Sequence, residues 1–97
     1  MLIIAGKLYV APEHRDEYVA SFVDFLRRAR TSAGCLDIII AADPLEPDRV
    51  NNFERWESDE HLRTFQAAAN PPDSLPEVLG EDMALYEISS SGPVFPK

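Results

Sequence analysis

Apolar residues recur along this chain with a period of two in some stretches and close to four in others, and each change of period marks a new element. Residues 2–10 (LIIAGKLYV) alternate as a strand. One face carries Leu2, Ile4, Gly6, Leu8 and Val10, the other Ile3, Ala5, Lys7 and Tyr9, so both faces are largely apolar. Past Ala11-Pro12, Tyr18, Phe22, Phe25, Leu26 and Ala29 recur at helical spacing, and Val19 and Val23 widen the stripe. Pro12 suits a first helical turn, Glu13, Asp16 and Glu17 sit at the positive end of the helix dipole, and Arg27, Arg28 and Arg30 sit near the negative end. Gly34 is a fitting stop. Residues 35–42 (CLDIIIAA) read as a second strand, again apolar on both faces. Asp43-Pro44 through Pro47-Asp48 is turn chemistry, and residues 49–57 (RVNNFERWE) pair back as the third strand of a hairpin.

Ser58 is an N-cap residue followed by Asp59 and Glu60; Leu62, Phe65 and Ala69 form a short stripe, and Pro71-Pro72 ends the second helix. Ser74 and Glu77 have capping-box spacing with Gly80 as a stop, which predicts one helical turn there. Residues 83–90 (MALYEISS) predict a fourth strand, and 91–97 a tail. The order βαββαβ is the ferredoxin-like α+β pattern with an antiparallel sheet, expected as a single domain over 1–97 with its core in about 2–90. Two helices cover only one face of a four-stranded sheet. The other face, apolar on strands one and two, is expected to meet the same face of a second copy, giving a homodimer.

Composition narrows the partners. The net charge is −8, from 17 acidic against 9 basic residues, which argues against nucleic acid and against an anionic membrane surface. The 97 residues hold one cysteine, Cys35, so no internal disulfide forms. The opening MLIIAGKLYV is too short to span a membrane and lacks a basic start; a reducing cytoplasm is the expected location. His14 and His61 fall on different helices without a ligand neighbour one turn away, so no metal set is signalled. There is no G-x-S-x-G and no G-x-G-x-x-G, hence no nucleophile elbow and no nucleotide or flavin loop. No cofactor is expected.

The third strand carries the candidate chemistry. Val50, Asn52, Glu54 and Trp56 alternate onto one face, with Asn51, Phe53 and Arg55 on the other. The Asn52 amide and the Trp56 indole N–H are donors able to hold a carbonyl or phenolate oxygen in an apolar pocket. The alternative is structural: Trp56 as a large core residue and Asn52 facing a turn. Phe22, Ile38, Leu62, Phe65 and Tyr86 are the expected apolar walls.

The opening LIIAGKLYVAPEHRDEYVASFVDFL, the GCLDIII strand and the run NFERWESDEHLRTF together resemble the antibiotic biosynthesis monooxygenase family over about residues 2–90. The resemblance implies a ferredoxin-like fold that dimerises through its sheets into an α+β barrel, with a small-molecule pocket between helices and sheet. It implies oxygenation of aromatic polyketides or quinols by O2 without flavin, haem or metal. It also implies a part in the chemistry for an asparagine four residues before the strand tryptophan, here Asn52 and Trp56. Several family positions differ: Phe65 stands where many members have a histidine, Ser32 where many have an acid, Ile38 where many have a tyrosine, and NPPDS replaces a Ser-x-His turn. The expected function is a cofactor-independent monooxygenase acting on a small aromatic. The alternatives are a non-catalytic ligand-binding or accessory dimer and a small-metabolite isomerase.

Overall fold

A computed structural model describes residues 1–96. Strands β1 (Leu2–Val10), β2 (Cys35–Ala42), β3 (Arg49–Trp56) and β4 (Val78–Glu87) form one antiparallel sheet in the order β2-β3-β1-β4. Helices α1 (Arg15–Ser21), α2 (Val23–Arg30) and α3 (Asp59–Ala68) lie on one side of it. This is the ferredoxin-like arrangement that the element order predicts.

The first helix is interrupted once. Residues 12–14 make a 3-10 turn, and Phe22, with φ −91° and ψ 0°, separates α1 from α2. The Ser21 hydroxyl donates to the Tyr18 carbonyl at 2.6 Å, and the Phe22 N–H falls back on Val19 at 3.2 Å. A serine that bonds the preceding turn in this way competes with the helical ladder and bends the axis. The predicted helical turn at 74–80 does not form, and β4 starts at Val78, five residues earlier than the alternation from Met83 suggests. Pairing of Val78 with Val10 across a bulge after Tyr9 outweighs the local capping signal. The strand also ends at Glu87 rather than at residue 90.

Directly paired residues of neighbouring strands share a face, so the register sorts the side chains. Toward the helices point Leu2, Ile4 and Leu8 of β1, Ile38 and Ile40 of β2, and Val50, Asn52, Glu54 and Trp56 of β3. The same side of β4 carries Met83, Leu85 and Glu87. The core divides into two clusters. Leu8, Val10, Tyr18, Phe22, Ile40 and Val50 form the larger; Leu2, Trp56 and Leu62 form the smaller, with Ile4, Cys35 and Phe65 against it. The helices pack over β2 and β3, and none covers β4 to a comparable extent. The opposite side of the sheet has no helix, and it leaves Ile39 40% and Tyr86 52% exposed.

Two glycines hold the frame together. Gly34, at φ +79°, ends α2's connection in the left-handed region, and a Cβ there would overlap the His61 ring. Gly6 lets β4 approach β1, since a Cβ would overlap the backbone of Asp82. In the β2–β3 turn, hydrogen bonds from the Asn51 amide and from the Glu46 and Leu45 N–H groups hold the Asp43 carboxyl down at about 2.

Candidate functional site

The helix-facing side of β3 places three polar-capable side chains in a row, each between an apolar residue of β1 and one of β2. Asn52 lies between Gly6 and Ile40, Glu54 between Ile4 and Ile38, and Trp56 between Leu2 and Cys35. Above them runs a chain of aromatic rings. Tyr18, Phe22, Phe25, Phe65 and Trp56 follow one another at centroid distances of 5.1, 5.6, 5.5 and 5.2 Å, in tilted and edge-to-face pairs. Phe25 and Phe65 join α2 to α3 in this chain.

The polar groups in this setting are unequally provided for. The Trp56 indole Nε1–H donates to Glu54 Oε1 at 3.1 Å, and Trp56 is fully buried. Its one donor is therefore spent inside the protein. The expectation that Trp56 would hold a substrate oxygen is corrected accordingly: it positions Glu54. Glu54 Oε2 accepts no hydrogen bond from the described residues and is not sealed from solvent. Burial pushes the Glu54 carboxyl up, and the Trp56 hydrogen bond opposes that only in part. Asn52 makes no side-chain hydrogen bond among the described residues, and its Oδ1 is buried without a partner there. Among the described residues Arg15 Nε is the other such atom, but it lies 3.6 Å from Asp16 Oδ1. The Asn52 oxygen stands without even that relief.

The structure brings part of the expected set together. Phe22 and Phe65 belong to the aromatic chain over β3. Ile38 and Leu62, at 1% and 0% exposure, are sealed core rather than walls that a ligand touches. Tyr86 pairs with Ile3 on the far side of the sheet, beside a groove of about 360 Å³ that Lys7, Asn51 and Asp82 also line. The uninterrupted pairing of Gly80–Glu87 with β1 sets this alternation; Met83 and Leu85 take the helix side instead. Sequence reasoning missed Gly6, Met83 and Leu85. Gly6 places no side chain beside Asn52, and Leu85 is 42% exposed, so a shelf over β1 and β4 lies open next to the β3 row. A groove of about 490 Å³, near His14 and Leu75, lies apart from it, while one of about 340 Å³, between Ser32 and His61, shares Phe65 with the aromatic chain. His61 Nδ1 is 2.7 Å from the Ser58 hydroxyl and away from Asn52's row. No group of three or more His, Cys, Asp or Glu residues with metal-holding geometry occurs among the described residues. No helix among them is long and apolar enough to cross a membrane.

A sequence model of the antibiotic biosynthesis monooxygenases matches residues 1–70, from β1 through α3 and the row on β3. The chain belongs to the antibiotic biosynthesis monooxygenase family. Solved structures of similar fold include a candidate antibiotic biosynthesis monooxygenase from Deinococcus radiodurans, 19% identical, with a TM-score of 0.78 over 99% of this chain and 100% of that one. A second, from Chloroflexus aurantiacus, is 20% identical with a TM-score of 0.70 over 97% and 98% of the two chains. The Mycobacterium tuberculosis haem degrader MhuD, solved with two haems in its active site, has a TM-score of 0.65 at 18% identity over 96% of this chain and 100% of its own. An uncharacterised Synechocystis protein, sll1783, is 24% identical across 93% of this chain, which spans 65% of that relative's length. At these identities the neighbours establish the fold, and activity has to be argued from the site.

Proposed function

We propose that this chain is a cofactor-independent monooxygenase that binds a small hydroxylated aromatic, such as a hydroquinone, anthrone or related polyketide, beside Asn52 on the helix-facing side of the sheet. The observation that carries this reading is the buried, unpartnered Asn52 Oδ1 on the side of the sheet that the helices and their aromatic rings cover. A buried acceptor without a donor costs about 1–3 kcal/mol, and a ligand hydroxyl that displaced the side chains covering it would relieve it. The Asn52 amide N–H groups are also unspent among the described residues, so they can hold a neighbouring carbonyl or phenolate oxygen. Phe25 and Phe65 supply apolar faces, and the open shelf at Gly6, Met83 and Leu85 gives the way in.

The electrons come from the ring. In the conversion of a hydroquinone to a hydroxyquinone, one oxygen atom of O2 enters the ring, the other leaves as water, and the substrate surrenders all four electrons. The protein's task is then to exclude water, orient the ring and stabilise the anion that passes its electron to O2. The reading includes a homodimer joined through the uncovered side of the sheet, which leaves both helix-facing rows free. Oxygen uptake by desalted, chelator-treated protein on naphthohydroquinone and anthrone tests the proposal. One O2 consumed per oxygenated product is the expected result; no uptake above the spontaneous rate on either compound contradicts it.

A further inference from the structure

We propose that Glu54 takes the proton from a ring hydroxyl of the bound aromatic, so that the ligand reacts as its phenolate; the inference rests on the site and substrate class proposed above. The geometry points to it in three ways. Glu54 stands next to Asn52 on the same face of β3, and side chains two apart on a strand are neighbours along that face. One carboxylate oxygen is fixed by the Trp56 N–H at 3.1 Å, which orients the group, while the other accepts no hydrogen bond from the described residues. No cation neutralises it: none of the ion pairs among the described residues includes Glu54.

The groups around it support a base. From β1 it meets Ile4, and from β2 Ile38. The Arg30 guanidinium of α2 gives two of its N–H groups to the Ile38 carbonyl, at 3.0 and 2.8 Å, and forms no ion pair with Glu54. Cys35 is the other titratable group close by; burial and then the charges of Glu54 and Asp37 push its thiol up, so it stays protonated. From α3, Leu62 and Phe65 pack over Trp56, and from β4, Leu85 pairs with Ile4 while Glu87 lies at the Leu2 end. A carboxylate desolvated by such surroundings is a stronger base than one in water, and the Trp56 bond keeps it oriented. The step is a proton transfer alone: the ring O–H bond breaks, a new O–H bond forms on Glu54 Oε2, and the electron pair stays on the ring oxygen. The family histidine that Phe65 replaces is not needed for it.

A purely structural Glu54 would exist to accept the indole N–H, and glutamine does that equally well. Glu54→Gln therefore separates the two roles. The rate constant kcat/KM on naphthohydroquinone should rise with pH in the wild type as Glu54 ionises. In Glu54→Gln that limb should vanish, with a rate about 10²-fold lower at neutral pH. The deficit should shrink as the pH nears the ring hydroxyl's own ionisation, where no base is required. A second readout is the Glu54 carboxyl carbon by NMR, whose titration should shift when naphthohydroquinone binds. A glutamine variant with the wild-type rate and pH profile would overturn the inference and leave the oxygenase reading standing. Wild-type protein with no uptake but a ligand-shifted Glu54 signal would keep the proton contact and remove the oxygenase. A Glu54 signal indifferent to ligand, with no uptake, would overturn both.

Discussion

Asn52→Ala should slow oxygen uptake about 10²-fold without weakening the fold. The two effects part company because Asn52 makes no side-chain hydrogen bond among the described residues. Truncating it breaks no internal hydrogen bond and removes an oxygen whose burial without a donor costs about 1–3 kcal/mol. The variant should therefore unfold at the same denaturant concentration as the wild type or a higher one. Turnover should fall, because the site loses both the acceptor for a ring hydroxyl and the donor to the developing anion. Groups kept at a stability cost are characteristic of working sites. Equilibrium denaturation and oxygen-electrode kinetics on the same preparations read the two quantities. A variant that is less stable yet fully active would place Asn52 among the structural residues.

Ile39→Glu should turn a homodimer into a folded monomer. Ile39 pairs with Phe53 on the uncovered side of the sheet, whereas its neighbours Ile38 and Ile40 are 1% and 9% exposed beneath the helices. In one chain Ile39 is 40% exposed, so a carboxylate there meets water and costs the protomer little. Against a second copy the same carboxylate would be buried twice per dimer, in apolar surroundings and without a partner charge. Stranding an unpaired charge in that way costs several kcal/mol per ion. Sedimentation equilibrium at micromolar concentration should give twice the 10.9 kDa chain mass for the wild type and the chain mass itself for the variant. A wild-type monomer would mean that the exposed apolar side of the sheet has another occupant.

The elements whose periods are long and whose ends are chemically marked were legible from residues alone. The β1 and β3 alternations, the Ser58 cap and the Pro71-Pro72 stop all appear where the pattern puts them. Position 54 shows the limit. Alternation places Glu54 beside Asn52 and Trp56, but only the fold shows that its carboxylate accepts the indole N–H, and that Trp56 is thereby committed. Tyr86 shows a second limit. A one-residue slip in strand register exchanges the two faces, and the face of Tyr86 is set by the pairing of Gly80–Glu87 with β1, a tertiary fact. The same pairing suppresses the helical turn that Ser74 and Glu77 suggest. The openness of the site was hidden for a related reason. That the helices favour β2 and β3 over β4 follows from packing geometry, and no local residue pattern records it.

A hydroxylated aromatic is expected to sit against the β3 row on the helix side. Amide and side-chain resonances of isotope-labelled protein, followed during titration with naphthohydroquinone under argon, test this most directly. The Asn52 side-chain amide, the backbone from Asn52 to Trp56 and the single indole N–H should move together, with Met83 and Leu85 following. Shifts confined to Lys7, Asn51 and Tyr86 on the other side of the sheet, or to Ser32, His61 and Thr64 in the groove beside α3, would contradict it.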